Sequence, residues 1–336
     1  MPNISTPLTN ADLINIQYKI KKVIDALVKQ TPLYSNTYKE AIPAQGGTTA
    51  RIWKNVEIIP NMTAGVPGTP IIPKPMLDTY VDIPTYLYSD AIALSRTFVN
   101  QAHVNVDEMS LSQIRQMAEY VIENLIAQSI DSTCNVDLVN QFGANGKLVS
   151  NVTSTDTANA VDLQTIWTKL DVNGVKKYDQ GEYKFFVHSA QRFSLLSETT
   201  LNSITDISKY NALAWRDIKP NDAKPMEMNG YVTTYKGFQI YSSPLMTAGN
   251  FGSGGQRVFF AYAWGDQSMA TVTLDLESAE DFLIEIDSQS TSDPTREVAK
   301  TLAYRFMFGS QPLSDDFVTA TKQRVVRYAS ASSSLF

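Results

Sequence analysis

The 336-residue chain carries one cysteine, Cys134, and two histidines, His103 and His188. A lone cysteine excludes an intrachain disulfide and any CxxC zinc or redox motif. Flanked by Thr133 and Asn135, with no positive charge beside it, the thiol reads as buried and inert. The histidines lie far apart and outside any HExxH or HxH pattern, so zinc has no ligand set. Charge is scarce too: Asp, Glu, Lys and Arg make up 18% of the chain, against about 25% in an average soluble domain. The net charge is −6, and like charges never gather into a block. Tight sequence-independent binding of nucleic acid works through basic patches, and none is written here. A mildly acidic wall facing packed DNA stays compatible with this charge. No run approaches the ~18 apolar residues of a membrane-spanning helix. The opening MPNISTPLTNADL lacks the basic-then-apolar layout of a secretory signal, which leads to the expectation of synthesis in a reducing cytoplasm.

Catalytic patterns are equally sparse. Ser189 follows His188 but sits in no GxSxG elbow. The loop GNFGSGG, Gly249–Gly255, lacks the Lys-Ser/Thr ending of a phosphate-binding loop and precedes a strand, so it reads as a hairpin turn. Asp222, Glu227 and Asp275 are scattered, and Glu277, Glu280 and Asp281 read as a solvated acidic edge. The expectation is a protein that is not an enzyme, with no cofactor and no metal site.

What the chain does have is an unusual stretch from Pro60 to Pro75, PNMTAGVPGTPIIPKP, holding five of its 15 prolines. Such a backbone cannot join a helix or a central strand. Yet Met62, Val66, Ile71 and Ile72, with Met76 directly after it, give it more large apolar side chains than a disordered loop carries. The blocks on either side, 48–59 and 77–95, are rich in β-branched and aromatic residues and predict a long hairpin, with Arg51 and Lys54 breaking up an otherwise apolar first strand. A two-stranded hairpin is marginal alone in water, so this one must lean on something.

Around it, helical spacing of Leu13, Ile16, Ile20, Val23, Ile24 and Leu27 predicts an amphipathic helix over 11–30, after a loose arm at 1–10. A longer helix is predicted from Ser110 to about Ile130, its start marked by Ser110 and Gln113 as a capping box. Residues 135–160 read as loop with short strands. A helix at 161–170, a strand at 183–187, a helix at 190–196 and strands at 231–235, 238–242, 258–264, 269–276, 282–286 and 298–308 complete an α+β pattern. Tyr80, Tyr86, Tyr88, Tyr178, Tyr183, Phe185 and Phe186 fall at strand positions and read as core and sheet packing, because Lys and Arg are not interleaved with them. The Ser/Ala-rich end, ASASSS, reads as a flexible tail.

This order of elements resembles the major capsid proteins of tailed bacteriophages, the HK97 fold, and within them the N4-type major capsid proteins. The segments that carry the resemblance are LVKQTPLYSNTYKEAIPAQGGTTARIWK, IALSRTFVNQAHVNVDEMSLSQIRQMAEYVIENLIAQSID, KYDQGEYKFFVHSAQRFSLLSE, YKGFQIYSSPLM and DSQSTSDPTREVAKTLAYRFMFGSQPL. The resemblance implies an HK97-like α+β fold with an N-terminal arm and helix at 1–47, an extended hairpin loop at 48–84, and a peripheral domain of 85–135 and 285–325 containing the long spine helix. An axial domain at 136–284 and a flexible tail at 326–336 complete it. It implies a shell protein that self-assembles into pentamers and hexamers around double-stranded DNA in the host cytoplasm and ends in the virion. Its partners would be copies of itself, a separate scaffolding protein, a portal, decoration proteins and, non-specifically, packaged DNA. Arg51, Lys54 and Lys74 would be candidates for salt bridges across subunits, beside Met62, Val66, Ile71, Ile72 and Met76. The same fold would also serve an encapsulin-like compartment, and a β-rich binding module is the alternative of a different class.

Overall fold

The structure is a computed structural model that describes residues 31–42, 47–55, 78–95, 106–178, 181–197, 231–274, 283–287, 298–313 and 323–332. The predicted helix at 11–30, the proline-rich arm, His103 and the acids singled out at 222, 227, 275, 277, 280 and 281 lie outside the described residues.

In chain order the elements are α1 (Pro32–Ser35), β1 (Tyr38–Ile42), β2 (Thr49–Asn55), β3 (Asp78–Pro84), β4 (Tyr86–Ser95) and α2 (Val106–Thr133). Then come β5 (Gln141–Gly143), α3 (Ala160–Val172), β6 (Tyr183–His188), α4 (Ser189–Ser197), β7 (Tyr231–Tyr235), β8 (Phe238–Ser243) and β9 (Ala248–Gly249). The last are β10 (Val258–Trp264), β11 (Met269–Leu274), β12 (Leu283–Asp287), β13 (Val298–Pro312) and β14 (Val325–Ser330).

Two sheets sandwich the long helix α2. The seven-stranded sheet runs β5-β14-β10-β6-β8-β7, with β9 beside β10. One face, through Phe185, Phe238, Ile240 and Ala263, packs against Leu163, Ile166 and Leu170 of α3. The other, through Phe186, Tyr262 and Trp264, meets Ile122, Ile126 and Ile130 of α2. With both faces covered, β10 is the unbroken apolar run VFFAYAW, buried at every position. Beyond α2 lies the five-stranded sheet built on β13, whose Tyr304, Phe306 and Phe308 join the same core. One edge of β13 pairs with β4 from Phe308↔Tyr86 to Val298↔Ser95. The other edge pairs with β12 and then β11, and β1 adds in parallel on β11.

The helix α2 has 28 residues, about 42 Å of rod. It begins at Val106, four residues before the predicted capping box, so Ser110 lies inside the helix and does not cap it. The end of the chain also departs from expectation. Far from a flexible tail, Val325–Ser330 is a strand buried at every position between β10 and β5, and Ala331 bridges to Thr157. Short side chains suit an inner strand with helices on both faces, so Ala and Ser here reflect close packing. Sheet membership divides the later chain after β10, because β11 already pairs with β13; the expected boundary at 284 falls later than this.

Candidate assembly surfaces

The hairpin is the first surface. β2 and β3 pair antiparallel from Thr49↔Pro84 to Asn55↔Asp78, and Thr85 donates its backbone N–H to Thr48 O at the root. Alternation gives the hairpin two unlike faces. Inward, Ala50, Val81 and Ile83 close a small core with Ile42, Ala270, Val272 and Leu313. The hairpin therefore leans on its own subunit at the root. The root fits because Gly309 of β13 has no side chain: a Cβ there would meet Pro84 O at 2.3 Å.

Outward, the guanidinium of Arg51 donates twice to the Asp82 carboxylate, from Nε at 2.7 Å and from Nη2 at 2.8 Å. It also lies 3.9 Å over the Tyr80 ring. The Arg51 guanidinium beside Asp82 holds that carboxyl below the usual carboxylate range. Trp53 packs edge-on to Tyr80 with centroids 5.3 Å apart, yet the two rings are 64% and 49% exposed. Sheet packing explains Tyr183, Phe185 and Phe186, which are buried, but not Tyr80, nor Tyr86 at 60% exposure. Arg51, expected as a cross-subunit bridge, already holds an ion pair within the chain. Lys54 stands opposite Thr79 in the strand register. Met62, Val66, Ile71, Ile72, Lys74 and Met76 lie outside the described residues.

A second surface is the outer side of α3, where Val161 and Val172 are exposed and Phe142 lines a shallow groove beside Thr165 and Thr168. The helix start is secured by Asn159, whose side chain accepts from Asp162 N. Tyr328 donates to Asp162 Oδ2 at 2.7 Å, tying α3 to β14. A third surface is a groove of about 430 Å³ between α2, β13 and the start of β4.

Buried polar groups hold these surfaces in register. Glu123 of α2, fully buried, accepts from Leu33 N at 2.8 Å and Tyr34 N at 3.2 Å, so it supplies the partners that the start of α1 lacks. Burial pushes its carboxyl up to about 8, against the pull of those two N–H groups. One turn later Asn36 O accepts from Tyr178 Oη and Trp264 Nε1, while Lys184 Nζ donates to Asn36 Oδ1 at 2.6 Å. Residues 31–42 thus staple helix and both sheets together. At the other end, Arg327 of β14 donates to the backbone O and carboxylate of Asp131 in the last turn of α2, to Gln141 Oε1, and lies over the Phe260 ring. A glutamate inside a helix and an arginine near the chain end both look solvated in sequence. Nothing in the pattern marks either as buried.

The chemistry weighed in the sequence finds structural uses. Cys134 is buried, and burial pushes its thiol up to about 12. His188 Nδ1 accepts from Ala190 N at 3.0 Å at the start of α4, and the ring lies tilted against Phe259; burial brings it down to about 4. Among the described residues no group of His, Cys, Asp or Glu could hold a metal ion.

No protein-family model matches the sequence, and no curated protein does. Solved structures do match, over nearly the whole chain. The capsid of Ralstonia phage GP4 superimposes with a TM-score of 0.71 at 10% identity, covering 96% of this chain and 97% of that one. The capsid protein of cyanophage Pam1 gives 0.65 at 14% identity, covering 94% and 96%. That of Helicobacter pylori bacteriophage KHP30 gives 0.58 at 10%, covering 98% and 99%. The chain has the HK97-like α+β fold of phage capsid proteins.

Proposed function

We propose that this chain is the major capsid protein of a tailed bacteriophage, closing as pentamers and hexamers into an icosahedral shell around double-stranded DNA. The observation that carries the reading is coverage in both directions: phage capsid chains and this one match over more than nine-tenths of each length. Self-association supplies what the hairpin lacks, since its outer face exposes Trp53 and Tyr80 on a two-stranded ribbon. Such apolar area stabilises a contact at ~25 cal/mol per Å² removed from water.

In this reading residues 48–84 overlap a neighbouring subunit and the helix α2 stiffens a peripheral domain. The seven-stranded sheet, with its C-terminal strand β14, forms the axial domain around the five- and six-fold axes. The N4-type subgroup is the finer assignment, supported by the order of the sequence segments. A separate scaffolding protein and a portal are the expected partners, and the virion is the expected location. Electron microscopy of the expressed chain, with and without a candidate scaffold, tests the proposal. Closed shells or pentameric and hexameric capsomers are expected; a stable monomer under every condition overturns it.

A further inference from the structure

We infer that residues 31–42 form a releasable clasp, gripped by one acid and one amine on different neighbours, which opens as a unit before the two sheets it joins come apart.

The segment has a small apolar footing. Its strand β1 lies at the edge of the five-stranded sheet, paired in parallel with β11, and four of its five residues are exposed. Its buried apolar side chains are Pro32, Leu33 and Ile42. An edge element with so little buried apolar surface belongs to the low end of local stability. The grip on it is polar and has two hands. From α2, the two oxygens of Glu123 accept from Leu33 N at 2.8 Å and Tyr34 N at 3.2 Å. From β6, Lys184 Nζ donates to Asn36 Oδ1 at 2.6 Å. Lifting residues 31–42 breaks both holds, frees β1 from β11 and withdraws Ile42 from the core at the hairpin root.

Both hands are ionisable groups that docking takes out of water, so docking disfavours the charged form of each. Burial pushes the Glu123 carboxyl up to about 8; the two N–H groups oppose the rise, and Glu119, one turn earlier on α2, adds to it. Burial brings the Lys184 amine down to about 8 against the pull of Asp266, which also pairs with Lys176. The Tyr178 ring lies 3.8 Å from the Lys184 ammonium, and burial holds its phenol well above the ordinary value, so it stays neutral. On the segment itself, Lys39 lies 3.8 Å over the Tyr34 ring. The two hands oppose each other in pH. Released, Glu123 titrates near its ordinary 4.5 and Lys184 near 10.5. Docking keeps a proton on Glu123 between 4.5 and about 8, so the grip weakens as pH rises toward 8. Docking removes a proton from Lys184 between about 8 and 10.5, so the grip tightens again above 8. The clasp is loosest where the two limbs meet, at about pH 8.

Hydrogen exchange of the isolated chain tests this, read by mass spectrometry from milliseconds upward over about pH 6 to about pH 10 and corrected for the intrinsic pH dependence of exchange. Peptides from residues 31–42 are expected to open more readily than β10 at every pH. Their opening constant should peak at about pH 8, with each limb approaching about tenfold per pH unit. Glu123→Gln should flatten the acid limb and leave the alkaline one, and Lys184→Met should do the reverse. Exchange of 31–42 only together with β10 overturns the inference. So does an opening constant that runs one way through pH 8, or limbs that neither substitution moves. If a variant fails to fold, the wild-type profile decides alone.

Discussion

The seven-stranded sheet and the hairpin use aromatic residues in opposite ways. In the sheet, Trp264 stacks on Phe186 at 4.1 Å, Phe186 on Tyr241 at 5.3 Å, and all are buried between α2 and α3. In the hairpin, Trp53 and Tyr80 form an equally close pair, but only the opposite face finds cover. The sheet is complete within one chain. Among the described residues the hairpin is covered on one face, at its root, and exposed on the other.

The sharpest test of that contrast is to damage the closed side. Arg327→Ala removes a buried cation and leaves the Asp131 carboxylate with Tyr262 as its remaining partner. Breaking a buried pair in this way costs about 3–5 kcal/mol. Denaturant unfolding of the isolated chain is expected to show a loss of that size. A change as small as that of a surface substitution would mean β14 is not the inner strand described above.

Glu123→Gln probes the staple between the two regions. The folded state raises this carboxyl to about 8 from its ordinary value of 4.5. Between those pH values the native chain therefore holds a proton that the unfolded chain has released. Its contribution is full below about 4.5 and is lost as pH rises through about 8, with a slope approaching 1.4 kcal/mol per pH unit. The glutamine variant keeps an acceptor for Leu33 N and should lack this slope. Parallel stability curves for the two proteins from pH 5 to 8 would show that Glu123 does not titrate in this range.

The smallest effect on the folded chain is expected on the open side. Trp53→Ala or Tyr80→Ala should change monomer stability by about 1 kcal/mol or less, while sharply reducing assembly as followed by light scattering. Normal shells from both variants would erase the difference between the two regions on which the argument turns.

How far the sequence spoke depended on whether the pattern was local. The runs YKFFV and VFFAYAW announced buried strands, and the β-branched and aromatic content of 48–59 and 77–95 announced the hairpin, because such side chains favour a pleated strand. The body of α2 was legible from Ala118, Ile122 and Ile126 at helical spacing. Its start was not: a serine followed three residues later by glutamine fits a cap and a helix interior equally well. Strand β14 was misread because Ala and Ser signal flexibility only where nothing encloses them.

The exposure of Tyr80 and Tyr86 was hidden for a related reason. Alternation says that two faces differ, but not which face the rest of the chain will cover. By itself, the sequence determined the absence of an intrachain disulfide, the strand and helix periods, and a proline-rich arm unable to enter either. Only the tertiary structure decided that Glu123 and Arg327 would be buried, that the last strand would sit inside a sheet, and that one face of the hairpin would stay open. Those outcomes depend on contacts between residues up to about two hundred positions apart, and no local pattern encodes what will be packed against a surface.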